Sequence, residues 1–456
     1  MFVIEKEFEI PAAPGHKSLL SHLEHALQFR LSDHSIPLRF AITQSDQSHY
    51  QCEIGILEGL SVPESSVPDS IFRFVRRSIE NTGNFNAALL VPTGIGAEIG
   101  GHAGDATPVA RLLAEACDTL VTHPNVVNAA DVNEMPENAL YVEGSILSRL
   151  LMGTVGLQRV RANRVLVIID AHADKIFVNS AVNAVSAARA SYGFCCPRVV
   201  LLDPPVMMKA RYTDSGRAVG EIENLDYLCQ ILEECREEYD AVAVSSVVDV
   251  PPSYHQEYFH GQGEMVNPWG GVEAMLTHAI SGLFNVPSAH APMFESEEIA
   301  NADPGIVEPR MAAEAVSLSF LQCILKGLQR SPKIIVDEKA MQYPGVLTVS
   351  DISCLVIPDG CLGLPTLAAL EQGIPVISVR ENKNLMKNDL AALPWAPGQF
   401  HIVENYWEAV GVMSALRAGI APESVRRPLG FTVTEVRSRE VHMQRGDSSD
   451  QSTGAR

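Results

Sequence analysis

The chain has 456 residues, 46% of them hydrophobic and 20% charged, and carries a formal net charge of −21. That length exceeds one ordinary core and predicts two or three domains, and the composition suits a compact folded protein, not a disordered one. The acidic balance argues against a nucleic-acid partner, whose phosphates need a basic face. It leaves an anionic substrate open, because local clusters of backbone N–H groups bind anions even in an acidic protein.

The longest apolar runs, "VLVIID" and "AVAVSSVV", are strand-sized and far short of a membrane span. The opening "MFVIEKEFEIPAAPGH" places acids where a signal sequence would be apolar, so a soluble cytoplasmic protein with no membrane partner is expected. Nine cysteines are an odd count with no CxxC pair, which predicts reduced thiols.

In chain order, "FVIEKEFEI", "RFAITQ" and "YQCEIGIL" read as strands and "KSLLSHLEHALQFRL" as a helix. They predict a small α+β unit over residues 1–70 or a contribution to a larger sheet, with "SVPESSVPDS" (61–70) as a linker. From residue 86 strand candidates "AALLVPT", "TLVTH", "RVLVIID", "RVVLLD" and "AVAVSSVV" interleave with helices over 107–117, 177–192 and 221–237. Continuous apolar strands alternating with helices predict an α/β class with mostly parallel sheets covered on both faces. Residues 270–330 read as mostly helical, and "CLVIPD", "LPTLAALEQG" and "PVISV" form a further β-α-β unit. The expected organisation is the unit 1–70, a first lobe 71–265, a helical segment with a second lobe 266–436, and a disordered tail 437–456.

The glycine-rich turn "GIGAEIGGHAGDATP" follows the first of these strands and precedes a helix. Pro108 suits the first helical turn with Thr107 as N-cap, and Val109, Leu112, Leu113 and Ala116 mark one buried face. A strand, a glycine loop and a helix N-terminus make an anion site from free N–H groups and the helix dipole. The spacing of Gly94, Gly96, Gly100, Gly101 and Gly104 matches neither dinucleotide nor P-loop fingerprints. His102 and Asp105 within the loop supply groups able to carry protons; the alternative is that the glycines serve only tight turns. The next strand exit carries His123, Asn125, Asn128, Asp131, Asn133, Glu134 and Glu143, at the sheet edge where α/β proteins bind ligands. It reads equally as a solvated loop.

"DAHAD" sets Asp170, His172 and Asp174 at alternate positions after a strand and resembles the metal run of the arginase and agmatinase (ureohydrolase) family. The resemblance implies a manganese-type metal site. The chain departs from that family in "GGHA" and in "VSSVVDVPP", which has one acid where several are needed, so a solvated strand end is the alternative. "YHQEYFHGQGEMVNPWGG" and "VPSAHAP" add His255, His260 and His290 around a predicted helix carrying His278; they are ligand or acid–base candidates, or incidental loop residues. Cys361 stands at a strand exit before a helix, where a thiol has a depressed pKa. Its surroundings resemble the second cysteine loop of aspartate/glutamate racemases and the nucleotide-side loop of two-domain glycosyltransferases. A buried structural cysteine is the other reading.

Over most of its length, from about residue 35 to about residue 420, the chain resembles a long family described only as a domain of unknown function, familiar from photosynthetic microbes. The resemblance rests on "VPTGIGAEIGGHAGDATPVARLL", "DTLVTHPNVVNAAD", "LYVEGS", "PSAHAP", "EPRMAAEA", "FLQCILKGLQRSP" and "GIPVISVREN". It implies no established chemistry.

The combined expectation is an enzyme acting on a small anionic, carboxylate-bearing metabolite by isomerase, lyase or group-transfer chemistry at a cleft between lobes. Gly96, Gly100, Gly101, Gly104, Thr107, Asn125, Asn128, Glu143, His290 and Glu381 would bind substrate. His102, Asp105, His123 and Cys361 would be catalytic. The alternatives are a metal-dependent hydrolase using Asp170, His172 and Asp174, or a non-catalytic metabolite-binding or scaffold protein. The residues name no cofactor and leave a homo-oligomer open.

Overall fold

The computed structural model of the chain describes residues 1–12, 18–32, 34–59, 69–127, 134–261, 263–317 and 319–436. It opens with β1 (Phe2–Pro11), α1 (Leu19–Gln28), β2 (Ile36–Ser45) and β3 (His49–Glu58). Next come β4 (Asn86–Leu89), α2 (Thr107–Ala114), β5 (Thr119–Thr122), β6 (Ala139–Tyr141) and α3 (Gly144–Leu151). Then follow β7 (Gly156–Gln158), β8 (Val165–Asp170), α4 (Lys175–Tyr192), β9 (Val199–Leu202), β10 (Met207–Tyr212) and β11 (Ala218–Glu223). The centre holds α5 (Leu225–Glu234), β12 (Ala241–Asp249), α6 (Ser253–His260), α7 (Gly270–Phe284) and β13 (Ser288–Met293). After α8 (Glu297–Ala300), α9 (Ala312–Ala315) and α10 (Leu321–Gln329) come β14 (Lys333–Ile335) and β15 (Val346–Leu347). The last elements are β16 (Ile352–Pro358), β17 (Leu362–Gly363), α11 (Leu364–Gln372), β18 (Val376–Val379), β19 (Phe400–Val403) and α12 (Tyr406–Arg417).

The α/β reading holds. A six-stranded sheet in the order β19-β18-β16-β4-β5-β6 is parallel throughout. A larger mixed sheet runs β17-β2-β3-β1-β11-β10-β12-β8-β9, with β13 added to β12, and a small sheet joins β14, β7 and β15. Strand β8 shows why its sequence is continuously apolar. Val165, Val167 and Ile169 enter one core while Leu166 and Ile168 enter the other, so both faces are buried.

Long-range pairing rearranges the expected segments. The N-terminal strands join the large sheet, β1 pairing antiparallel with β11 and β2 with β17. The boundary expected near residue 265 does not separate two sheets, because β4 pairs in parallel with β16, Ala88 opposite Leu355. Two elements were not expected. Residues 207–223 form an antiparallel hairpin, and α5 begins at Leu225 after Asn224 turns the chain at φ 61, not at 221. Within the segment read as helical, Ser288–Met293 is a strand parallel to β12; "SAHAPM" has weak strand propensity and is held by tertiary pairing.

Helix α2 starts one residue early. Thr107 is its first residue, and its Oγ1 donates to Gly104 O at 2.7 Å instead of capping the helix. The fully buried positions are Thr107, Ala110, Leu113 and Ala114, while Val109, Leu112 and Ala116 pack half-buried beside them. Among the described residues no helix is long and apolar enough to cross a membrane.

Candidate functional site: a cleft at the strand carboxyl ends

The glycine loop is shaped by backbone demands. Gly94 has φ +77, and a Cβ there would lie 2.4 Å from Ala218 O; at Gly101 it would lie 2.1 Å from Ala97 O. The N–H groups expected to cradle an anion meet the chain's own carboxylates. Asp105 Oδ1 accepts from Gly100 N (2.8 Å) and His102 N (3.4 Å), and Glu314 Oε1 accepts from Ala103 N at 2.6 Å. Burial lifts both acids to about 7. His102 is buried with Nδ1 2.7 Å from the Tyr258 hydroxyl, and burial takes its imidazolium down to about 4. His102 and Asp105 therefore stand behind the loop and line neither cavity described below.

The sign of the Asp105 linkage is testable. The fold keeps this proton to about pH 7, whereas an ordinary aspartate gives it up near 3.8. The stabilising contribution is complete below the lower value and is lost as the pH rises through the higher one. Asp105→Asn keeps an oxygen for Gly100 and does not ionise. Its urea midpoint relative to the native chain is expected to climb as the pH rises from about 4 to about 7. A difference that stays constant over that range would count against the buried acid.

Beyond the loop, two adjoining cavities open at the carboxyl ends of the parallel strands. The first, of about 180 Å³, is lined by Gly101, Ala103, His123, Asn125 and Glu143 from the exits of β4, β5 and β6. Glu273, Thr277 and His278 of α7, His290 of β13, and Glu314 complete its polar wall; Phe259, Trp269, Phe294 and Phe320 give it an aromatic one. The second, of about 120 Å³, is lined by Arg39, Arg217, Ser148, Cys361, Gly363 and Thr366. Thr93, His123, Gly144, Ala274 and His278 belong to both walls. Strand carboxyl ends are where α/β sheets bind ligands, since side chains leaving successive strands converge there.

The histidine–acid contacts gather at the first cavity. Glu143 is the N-cap of α3, its Oε2 accepting from Ser145 N at 3.0 Å and from the Ser145 hydroxyl. Its Oε1 lies 2.5 Å from His278 Nδ1. Burial opposes the charge on Glu143, but His278 and the Ser145 bonds outweigh it and hold the acid below its ordinary value. Gly144 admits the ring: a Cβ there would stand 3.3 Å from His278 Cε1. His123 Nε2 accepts from Val91 N at 3.1 Å, and burial lowers its imidazolium to about 4. The neutral ring thus carries its proton on Nδ1. A second histidine–acid contact joins His290 Nδ1 to Glu273 Oε1 at 3.3 Å, with His290 Nε2 2.7 Å from Ser246 Oγ. A third joins His255 to Glu295 at 2.9 Å.

Of the residues expected from sequence, Gly101, His123, Asn125, Glu143 and His290 meet in the first cavity and Cys361 borders the second. Asn125 also braces the loop, its Nδ2 donating to Val91 O and Gly100 O. Gly96, Gly100, Gly104 and Thr107 shape the loop without lining either cavity. Glu381 is exposed and outside both, and its backbone N–H donates to Glu404 O. Asn128, Asp131 and Asn133 lie outside the described residues.

The metal expectation at Asp170, His172 and Asp174 is corrected. His172 Nε2 is 3.1 Å from Phe294 O and its Nδ1 accepts from Asp174 N at 2.9 Å, so both nitrogens are engaged. Asp170 is buried, accepts from Val206 N, and is pushed by burial to about 8, which favours the protonated acid. Among the described residues no group of three or more His, Cys, Asp or Glu is arranged to hold a metal.

The activated thiol is corrected as well. Cys361 is buried, and burial together with Asp359 raises its pKa above the ordinary thiol value, outweighing any effect of the following helix. With Ellman's reagent the exposed Cys195 is expected to react in the folded chain, and Cys361 and Cys354 only on unfolding. Rapid native modification of Cys361 would restore it as a nucleophile candidate.

Sequence reasoning passed over Glu273 and gave His278 no partner. The signal was there: Glu273, Thr277 and His278, with Ser281, are the polar interruptions of "GGVEAMLTHAISGLF", a helix otherwise apolar around its circumference. Arg39 and Arg217 gave no local signal at all.

No solved structure matches the chain. It is 33% identical over 346 residues to an uncharacterized lipoprotein of Synechococcus sp., covering 75% of this chain and 93% of the relative. The cytoplasmic placement expected from the sequence is overturned by this relative, whose name is that of a lipoprotein. Residues 86–426 match the family described as "Protein of unknown function (DUF3326)", a span that takes in the six-stranded parallel sheet and the exits of β4, β5 and β6, while β1, β2 and β3 of the large sheet precede it. The chain belongs to that family.

Proposed function

We propose that this chain is an enzyme that moves a proton on a small anionic, carboxylate-bearing metabolite, with isomerase or lyase chemistry in the cleft between its sheets. The observation that carries the reading is the 2.5 Å contact between Glu143, in the wall of the first cavity, and His278, which lines both cavities. A carboxylate beside one ring nitrogen stabilises the imidazolium that forms when the other nitrogen takes a proton. In this scheme His278 Nε2 receives the proton from a carbon beside the carboxylate, and the electron pair moves onto the oxygen. His123, neutral with a proton on Nδ1, donates a hydrogen bond to that oxygen as negative charge develops. The proton then returns to carbon, or a leaving group departs.

The test is solvent exchange. The protein is incubated in D₂O with a panel of small hydroxy-, keto- and amino-carboxylates, and deuterium incorporation is followed by NMR. Incorporation into at least one compound is expected. Absence of exchange and of product across the panel, while a compound binds saturably, would turn the reading toward a metabolite-binding protein without turnover.

A further inference from the structure

The second cavity contains two guanidinium groups whose hydrogen-bonding capacity the protein does not exhaust. Arg217 has a side chain only 4% exposed; its Nη1 pairs with Glu53, and Glu5 stands 3.8 Å away. Arg39 is 11% exposed in its side chain, and its Nε reaches Glu5 at 3.2 Å. Two acids therefore balance two cations. Yet among the described residues neither Arg217 Nε nor Arg39 Nη2 has an acceptor, and both atoms are buried. Each guanidinium offers five N–H donors in a planar fork, and a charged donor left without an acceptor is a costly thing to bury. Burial, and to a lesser extent the neighbouring Arg217, draws the Arg39 guanidinium below its ordinary value despite Glu5.

Both arginines line the same 120 Å³ space, and the first turn of α11 closes it with Gly363 and Thr366. A helix N-terminus adds partial positive charge and is itself favourable to an anion. Nothing in this wall is acidic: the carboxylates of Glu5 and Glu53 do not line it. It adjoins His123 and His278 directly.

We propose that the Arg39–Arg217 pocket binds an oxyanion, a carboxylate or a phosphate monoester group, and so anchors the anionic end of the ligand whose reacting carbon lies at His278. Only the anchoring role rests on the proton-transfer reading; the binding does not. Two guanidinium groups lining one small space without an acidic neighbour in its wall suit the oxygens of either group by charge and planar geometry.

The full chain is titrated calorimetrically with sodium phosphate and, separately, with sodium acetate at ionic strength matched with sodium chloride. One saturable site per chain is expected for at least one of them, and the stronger arm identifies the group. With ¹⁵Nε-labelled arginine, the Arg217 Nε–H resonance is expected to shift along the same saturation curve. Arg39→Lys keeps a cation for Glu5 but removes Nη2, and Ser148→Met fills the cavity while leaving both arginines; each is expected to weaken binding by about tenfold or more. Glu143→Gln, which does not line this cavity, is expected to bind like the native chain while losing exchange. Lack of saturable binding by the native chain, or native affinity in a folded Ser148→Met, overturns the proposal and leaves the proton-transfer reading standing. Binding at this site with no exchange on any carboxylate leaves the pocket and removes the other.

Discussion

Glu53→Ala is expected to lower the unfolding free energy by about 3–5 kcal/mol, the range for removing one partner of a buried ion pair. Glu53 is 2% exposed and accepts from Thr213 Oγ1 at 2.8 Å, Ser215 Oγ at 2.6 Å and the Arg217 guanidinium. Alanine leaves the Thr213 and Ser215 hydroxyls with one acceptor between them, each other, and leaves Arg217 with Glu5 alone, at 3.8 Å. Three parts of the chain are tied at this point: Glu53 on β3, Glu5 on β1, and the hairpin turn that bears Arg217. The cost comes less from the pair's net worth than from the charge stranded when its partner goes. Urea denaturation followed by tryptophan fluorescence measures it. A loss below about 1 kcal/mol, as at exposed ion pairs, would mean that the network is solvated.

The largest expected effect on activity is at Glu143. Glu143→Gln is expected to slow solvent exchange into the identified carboxylate by about 10²–10⁴-fold, the contribution of a positioned acid–base group. The fold should survive, because an amide oxygen still accepts from Ser145 N and the N-cap of α3 is kept. What is lost is the negative charge 2.5 Å from His278 Nδ1, and with it the stabilisation of the imidazolium formed when His278 takes the proton. The rate of deuterium incorporation and the urea midpoint are read on the same sample. An unchanged rate would remove the dyad from the mechanism. A collapsed midpoint would assign the loss to folding, and His278→Gln then serves as the decisive variant because that ring caps no helix.

The two arginines and the dyad illustrate different degrees of legibility. His123 and Glu143 follow apolar strands directly, and strand exits are visible as a change from apolar to polar residues, so their place at the carboxyl ends of parallel strands was readable. The role of Cys361 was misread for a definite reason. A helix N-terminus lowers a thiol pKa only where the thiolate is solvated or paired, and the depth at which Cys361 is packed is a tertiary quantity. The glycine loop was read as an anion site with tight turns as the alternative, and Gly94, Gly96, Gly100 and Gly104 do stand at positive φ. That Glu314 would occupy one of its N–H groups depended on a contact spanning 211 residues, between Ala103 and Glu314, whereas Asp105 reaches Gly100 within the loop itself. "DAHAD" had ligand spacing, but spacing along a strand end does not say where each side chain turns, and His172 turned to Phe294 O.

By itself the sequence determined the class of this protein: the period of its apolar residues, the glycine and proline breaks, and the alternation of strand and helix follow from local sterics and burial. Those forces act within a dozen residues. Tertiary structure alone decided that β4 lies beside β16, that Arg39 and Arg217 meet over 178 residues of chain, and that His278 is set against Glu143. Such contacts join segments whose local propensities carry no information about one another, and only the packing of the whole sheet chooses between them.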